Sequence, residues 1–172
     1  INDMLIPALN EIGTAFEKGK AFLPQLLMSA EAASAAFEIV KEKIDKKASD
    51  TDKKVILATV KGDIHDIGKN IVKVLLESYG FSVIDLGRDV PPETILQSAR
   101  DNDCHLIGLS ALMTTTVPSM EATVALVRKS GFDARIAVGG AVLTQEYADM
   151  IGADFYGKDA MDTVRYAQEF YS

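Results

Sequence analysis

The hydrophobic pattern changes period once along the chain. In the opening stretch Leu5, Ile6, Leu9, Ile12 and Phe16 recur at three- and four-residue steps, the spacing that lines one face of a helix. Gly19, in "EKGKAF", breaks the run. The pattern resumes from about Leu23 to Lys46, with Leu26, Leu27, Ala30, Ala33, Phe37, Val40 and Ile44 on one stripe. Pro24 falls in the first turn, where a missing N–H breaks no intrahelical bond. Two helices joined by a short turn predict an antiparallel hairpin. A hairpin alone buries little, so residues 1–47 need something to pack on: the rest of the chain, a second copy or further helices.

The stretch "KKASDTDKK" (46–54) is polar and reads as a linker. Beyond it, "VILATV" (55–60) is a continuous β-branched run, as expected of a strand buried on both faces. Helices and strands then alternate. "GKNIVKVLLESYG" is an amphipathic helix closed by Gly80, and "SVIDLG" (82–87) a strand. "PPETILQSARDN" (91–102) is a helix, "HLIGLS" (105–110) a strand, "VPSMEATVALVRKSG" (117–131) a helix and "RIAVGG" (135–140) a strand. "LTQEYADMIG" (143–152) is a helix with Thr144 as N-cap, "DFYG" a short strand, and Ala160 to Phe170 the last helix. Strict β–α alternation predicts a parallel sheet with helices on both faces. Five strands fit the flavodoxin-like, Rossmann-like order 2-1-3-4-5, a doubly wound α/β domain over residues 48–172.

Composition changes this picture little. Of 172 residues, 48% are hydrophobic and 25% charged, which is ordinary for a globular protein. A net charge of -7 argues against nucleic-acid and anionic-membrane partners, both of which favour a basic face. There is no apolar run of about 18 residues to span a bilayer, and no signal segment opens the chain. The single cysteine, Cys104, excludes an internal disulfide, suits a reducing cytoplasm and is expected to be a packing residue. The start at Ile1 favours a fragment of something longer.

Open α/β sheets bind ligands outside the carboxyl ends of their strands. Three loops lie there: "KGDIHDIGKN" (61–70), "SALMTTT" (110–116) and "GGAV" (139–142). The first admits three readings. As a phosphate loop its glycines are one residue too far apart, and Asn70 stands where a magnesium-binding hydroxyl belongs. As a receiver-like site, Asp63, Asp66 and Asp85 would gather at strand ends, with Lys158 as the partner lysine. As an axial-ligand site, His65 would bind a metal through one nitrogen while Asp63 holds the other, and a hydroxyl from 110–116 would hold Asp63. One protein ligand is too few for bare zinc but enough for a metal held in a macrocycle. Gly139-Gly140 either makes a tight turn or lets a bulky group approach the backbone. His105, at a strand start, reads as structural.

Asp63-x-His65-x-x-Gly68, Ser110-x-Leu112 and Gly139-Gly140, in that order, resemble the D-x-H-x-x-G, S-x-L and G-G motifs of cobalamin-binding domains. The likeness covers nearly the whole chain. "FEKGKAFLPQLLMSAEA" (16–32) resembles the helical cap of methyl-transferring corrinoid proteins, and "GDIHDIGKNIVKVLLESYGFSVIDLG" is similar to the module of cobalamin-dependent methionine synthase. The resemblance implies cobalamin bound base-off with His65 as lower axial ligand of cobalt. Asp63 and Thr116 would complete its relay, Thr116 standing where the family has serine. Gly62, Ile64, Asp66 and Gly68 would line the loop. Ser110, Leu112, Thr114, Gly139, Gly140 and Ala160 would contact the cofactor and its nucleotide tail. Phe16, Leu23 and Leu26 match cap positions that shield the methyl group. Only two of the family's four cap helices are expected in residues 1–47.

By that resemblance the chain is a cobalamin carrier module of a methyltransferase. It would cycle between methyl-Co(III) and Co(I) and carry a methyl group from methyltetrahydrofolate to homocysteine, in methionine biosynthesis. Its partners would be the methyl-donor and methyl-acceptor domains or subunits and a reactivation domain. The alternative is a stand-alone corrinoid protein of a methanol, methylamine or methoxyaromatic system. A mutase cobalamin domain is disfavoured, because it lacks the helical cap.

Overall fold

The computed structural model describes residues 5–43 and 53–172. The expected linker lies outside them up to residue 52, as does the expected end of the second helix beyond Lys43. The chain forms two compact units, Ile1–Lys53 with Val74–Ser82, and Lys54–Lys73 with Val83–Ser172.

In the first unit α1 (Leu5–Glu17) and α2 (Leu23–Lys43) form the predicted hairpin. Gly19 takes a left-handed φ of 66° after α1, a conformation that costs glycine no side-chain clash. Leu9, Leu26, Ala30 and Ala33 are buried along the apolar stripe. In the same unit the Tyr79 hydroxyl donates to Asn10 Oδ1 at 3.0 Å.

The second unit carries most of the α/β domain, which also takes in Val74–Ser82. Its strands are β1 (Lys54–Thr59), β2 (Ser82–Asp85), β3 (Leu106–Ser110), β4 (Arg135–Gly139) and β5 (Phe155–Gly157). They stand in the order β2-β1-β3-β4-β5, as the alternation predicts. The connecting helices are α3 (Ile67–Ser78), α4 (Pro92–Asp101), α5 (Val117–Lys129), α6 (Gln145–Met150) and α7 (Ala160–Phe170). The helix expected over 143–152 is shorter because Thr144 caps it, its hydroxyl accepting the Tyr147 N–H at 3.3 Å.

Ile56 and Ala58 on β1, and Val60 just after it, share one core with Ile107, Leu109, Ile136 and Val138 and with the buried faces of α4 and α5. Strand alternation turns the next residues to the opposite face. There the register aligns Thr59 with Ser110, Ser110 with Gly139, and Gly139 with Gly157. A row of small side chains thus crosses the carboxyl end of the sheet. Cys104 is fully buried and its Sγ lies 3.2 Å from the Lys54 carbonyl, as a packing cysteine should.

Candidate functional site

The loop after β1 and the loop after β3 meet at one carboxylate. Asp63 is completely buried. Its Oδ1 accepts the His65 backbone N–H at 3.0 Å and faces His65 Nδ1 at 2.8 Å. Its Oδ2 accepts the N–H groups of Leu112 at 2.7 Å and Met113 at 3.2 Å, and lies 2.8 Å from Thr116 Oγ1. The Thr116 hydroxyl has one proton and a second acceptor, the Met113 carbonyl at 2.8 Å. A charged carboxylate is the stronger acceptor of the two. Burial pushes the Asp63 pKa up, but the N–H groups of His65 and Leu112, the Thr116 hydroxyl and the His65 ring outweigh it. The group is held well below the ordinary carboxylate range and stays an anion.

An anionic Asp63 can only accept, so His65 Nδ1 is the donor of that pair, and in the neutral ring Nε2 keeps the lone pair. The His65 side chain is 45% exposed, and no hydrogen bond occupies Nε2 among the described residues. Ile64, Ile67, Leu112 and Met113 are also exposed, an apolar rim around a polar centre. Asp66 is half-buried, and a side chain at Gly68 would meet only open space.

The remaining expected residues fall into two sets. Ser110 and Gly139 lie side by side in the small-residue row, and no hydrogen bond occupies the Ser110 hydroxyl among the described residues. A Cβ on Gly140, at φ 145°, would stand 1.8 Å from the Ala111 carbonyl oxygen. Packing of the protein's own loops therefore requires that glycine, whatever else approaches it. Thr114 is exposed in the β3–α5 loop, and Ala160 opens α7. The first unit holds Phe16, Leu23 and Leu26. Leu26 is buried in the hairpin, whereas Leu23 is exposed and Phe16 half-buried.

Sequence reasoning missed Thr59. Its hydroxyl is fully buried and has no hydrogen-bond partner among the described residues. The signal was there: a lone polar residue interrupts the apolar run "VILATV" one position before its end, at the switch in strand order. An orphaned hydroxyl beside Ser110, and an exposed imidazole with one free nitrogen, fit a cofactor that needs one axial donor and a polar tail site. No group of three or more His, Cys, Asp or Glu side chains among the described residues could hold a metal alone. A metal at His65 needs its other donors from a macrocycle.

The other two readings of the loop fail on contacts. Asp63 has both oxygens engaged and no exposure, so it cannot serve as a phosphoacceptor. Lys69 is buried, with Nζ 2.5 Å from Asp85 Oδ1 and 2.8 Å from Asn70 Oδ1, so it cannot reach a phosphate.

The family profile described as B12 binding domain matches residues 53–165, and a second profile of the same description matches residues 1–41. A dimethylamine corrinoid protein of Methanosarcina acetivorans is 42% identical over 96% of this chain and 79% of its own length. The chain belongs to the B12-binding corrinoid protein family. Two solved members share its architecture. The methanol:cobalamin methyltransferase complex MtaBC of Methanosarcina barkeri has a chain 32% identical, with a TM-score of 0.84 over 98% of this chain and 65% of that one. A cobalamin-binding protein of Desulfitobacterium hafniense is also 32% identical, with a TM-score of 0.83 over 94% and 77%. The expected likeness to the methionine synthase module is corrected accordingly. The relatives belong with the corrinoid proteins of methylamine and methanol systems, and a place in methionine biosynthesis is not supported. Among the described residues no helix is long and apolar enough to cross a membrane.

Proposed function

We propose that this chain is the corrinoid subunit of a methylamine-type methyltransferase system, a stand-alone carrier that receives a methyl group from one methyltransferase subunit and presents it to another. The observation that carries this reading is the His65 imidazole, fixed through Nδ1 on a buried anion with Nε2 left free. Methylated amines are favoured over methanol as the source, because the dimethylamine corrinoid proteins reach 42% identity and the methanol complex 32%.

When bound, cobalamin supplies a cobalt centre that takes up and gives away a methyl group. The protein's part is to hold, orient and balance charge. Asp63 holds His65 through Nδ1, so Nε2 would be the nitrogen that holds the cofactor's metal. The donors from Leu112, Met113 and Thr116 fix Asp63 in turn. The buried Asp63 carboxylate beside Nδ1 would balance positive charge that came to rest on the His65 ring. Thr59, Ser110 and Gly139 would take the cofactor's tail along the small-residue row, with Gly140, Thr114 and Ala160 as further contacts.

The test is an absorption spectrum of the chain loaded with methylcobalamin and desalted, beside a His65→Gly variant. We expect a base-off, histidine-on spectrum that the variant loses. A spectrum indifferent to His65 would remove the ligand assignment. Methyl transfer assayed with dimethylamine-specific and methanol-specific methyltransferases then decides the substrate class.

A further inference from the structure

The Asp63–His65 loop is held from outside by one residue that no motif includes. Asp89, in the loop between β2 and α4, has a left-handed φ of 55°. Aspartate, with glycine and asparagine, is among the residues that adopt that conformation. Asp89 makes two bonds to the loop after β1. Its Oδ1 accepts the Gly62 N–H at 2.7 Å, and its own N–H donates to the Asp63 carbonyl at 3.0 Å. The donor of residue 62 and the acceptor of residue 63 are therefore pinned by a single side chain and its backbone. Gly62 is itself left-handed, at φ 87°, so the turn depends on this local geometry.

The clamp has a firm base. The Val90 N–H donates to the Thr59 carbonyl at 3.1 Å. Asp85 Oδ1 accepts the Gly87 N–H at 2.9 Å and the buried Lys69 ammonium at 2.5 Å. Asp63 is also fixed from the other side, by the loop after β3. That side holds only its carboxylate. Asp89 holds the backbone from which the carboxylate and His65 project.

We propose that Asp89 is a positioning residue for His65, a two-point clamp that sets the backbone of the Asp63–His65 loop. The proposal rests on the reading of His65 as the cobalt ligand, and its test separates the two. The Asp89→Gly variant keeps the left-handed backbone and the N–H bond but loses the carboxylate. The Asp89→Asn variant keeps an oxygen acceptor and tolerates the same φ. In the cofactor-free chain, amide exchange at His65, whose N–H is held by Asp63 Oδ1, should quicken in D89G and stay at the parent rate in D89N. The amides of β1 and β3 should not change in either. In the loaded chain, D89G should weaken methylcobalamin binding about tenfold, the loss of one charge-assisted hydrogen bond, with a smaller histidine-on fraction. D89N should behave as the parent.

Unchanged His65 exchange in D89G overturns the clamp whatever the cofactor does. Loss of protection throughout the D89G core assigns Asp89 to folding and also overturns it. A parent spectrum indifferent to His65→Gly overturns the ligand reading, while the exchange data still judge the clamp.

Discussion

The chain has two histidines, and each stands two residues after an aspartate. Asp63-x-His65 and Asp103-x-His105 are alike in local sequence, and the two imidazoles are almost equally exposed, 45% and 42%. They differ in what is left over. His105 uses both nitrogens: Nδ1 bonds the Asp133 carbonyl, and Nε2 lies 3.1 Å from Asp103 Oδ1. Its ring stacks on Phe132 with centroids 5.1 Å apart. Among the described residues His65 uses only Nδ1. The aspartates differ as well, since the Asp103 side chain is 86% exposed and that of Asp63 is 0% exposed. A ligand histidine is recognised by an orienting partner fixed in the fold and by one nitrogen with nothing to do. Neither exposure nor the D-x-H spacing distinguishes the pair.

The largest expected effect breaks this contrast directly. His65→Gly should abolish the histidine-on spectrum of the loaded chain, and His105→Gln should leave it intact. If both variants lose it, the free nitrogen is not what matters. The next effect compares the aspartates. Asp63→Asn places an amide among donors built for an anion, leaving buried groups unpaired, and should cost about 3 kcal/mol in urea unfolding. Asp103→Asn, at the surface, should stay within about 0.5 kcal/mol of the parent. Equal costs would mean that Asp63 is no more embedded than Asp103.

A smaller effect tests the far end of the relay. Thr116→Val keeps the shape but removes the hydroxyl from Asp63 Oδ2, and should cost about 1 kcal/mol. Thr116→Ser should restore the bond. A serine variant as unstable as the valine one would show that the methyl group, which lies 3.5 Å from the Cβ position of Gly62, matters more than the hydroxyl.

Much of this was legible in the sequence, for physical reasons. The strand order follows from β–α alternation, which leaves few right-handed parallel topologies. Asp63, His65 and Ser110 were legible because the fold puts loop residues after β1 and β3 at one rim. Asp89 was not legible, because it acts on Gly62 across 27 residues of chain through a backbone N–H. Thr59 was passed over because a threonine in a strand looks like an ordinary β-former. The methionine synthase assignment failed for a different reason. The motifs describe contacts to the cofactor, and related carriers hold the same cofactor. The motifs therefore carry no information about the methyl donor.

The smallest effect concerns the histidine whose two nitrogens are both engaged. Both acceptors facing His105, a carbonyl and a carboxylate, can be satisfied together only by the imidazolium, which has two N–H donors. The Asp133 carbonyl, and then the Asp103 carboxylate, accordingly raise its pKa above the ordinary histidine value. The sign follows from proton binding: near neutrality the folded chain binds this proton more tightly than the unfolded chain does. The contribution to stability is complete below the unfolded value of about 6.5 and is lost as pH rises through the higher folded one. Asp85 and Asp154, both lowered by cationic partners and backbone donors, titrate in acid, and Tyr79 and Tyr171 only near 12, so none competes in this window. The stability difference between the parent and His105→Gln should therefore favour the parent at pH 5.5 and shrink by pH 8. A difference that grows with pH would mean that His105 is held neutral by its stack on Phe132, and the two histidines would then differ in charge as well as in their free nitrogen.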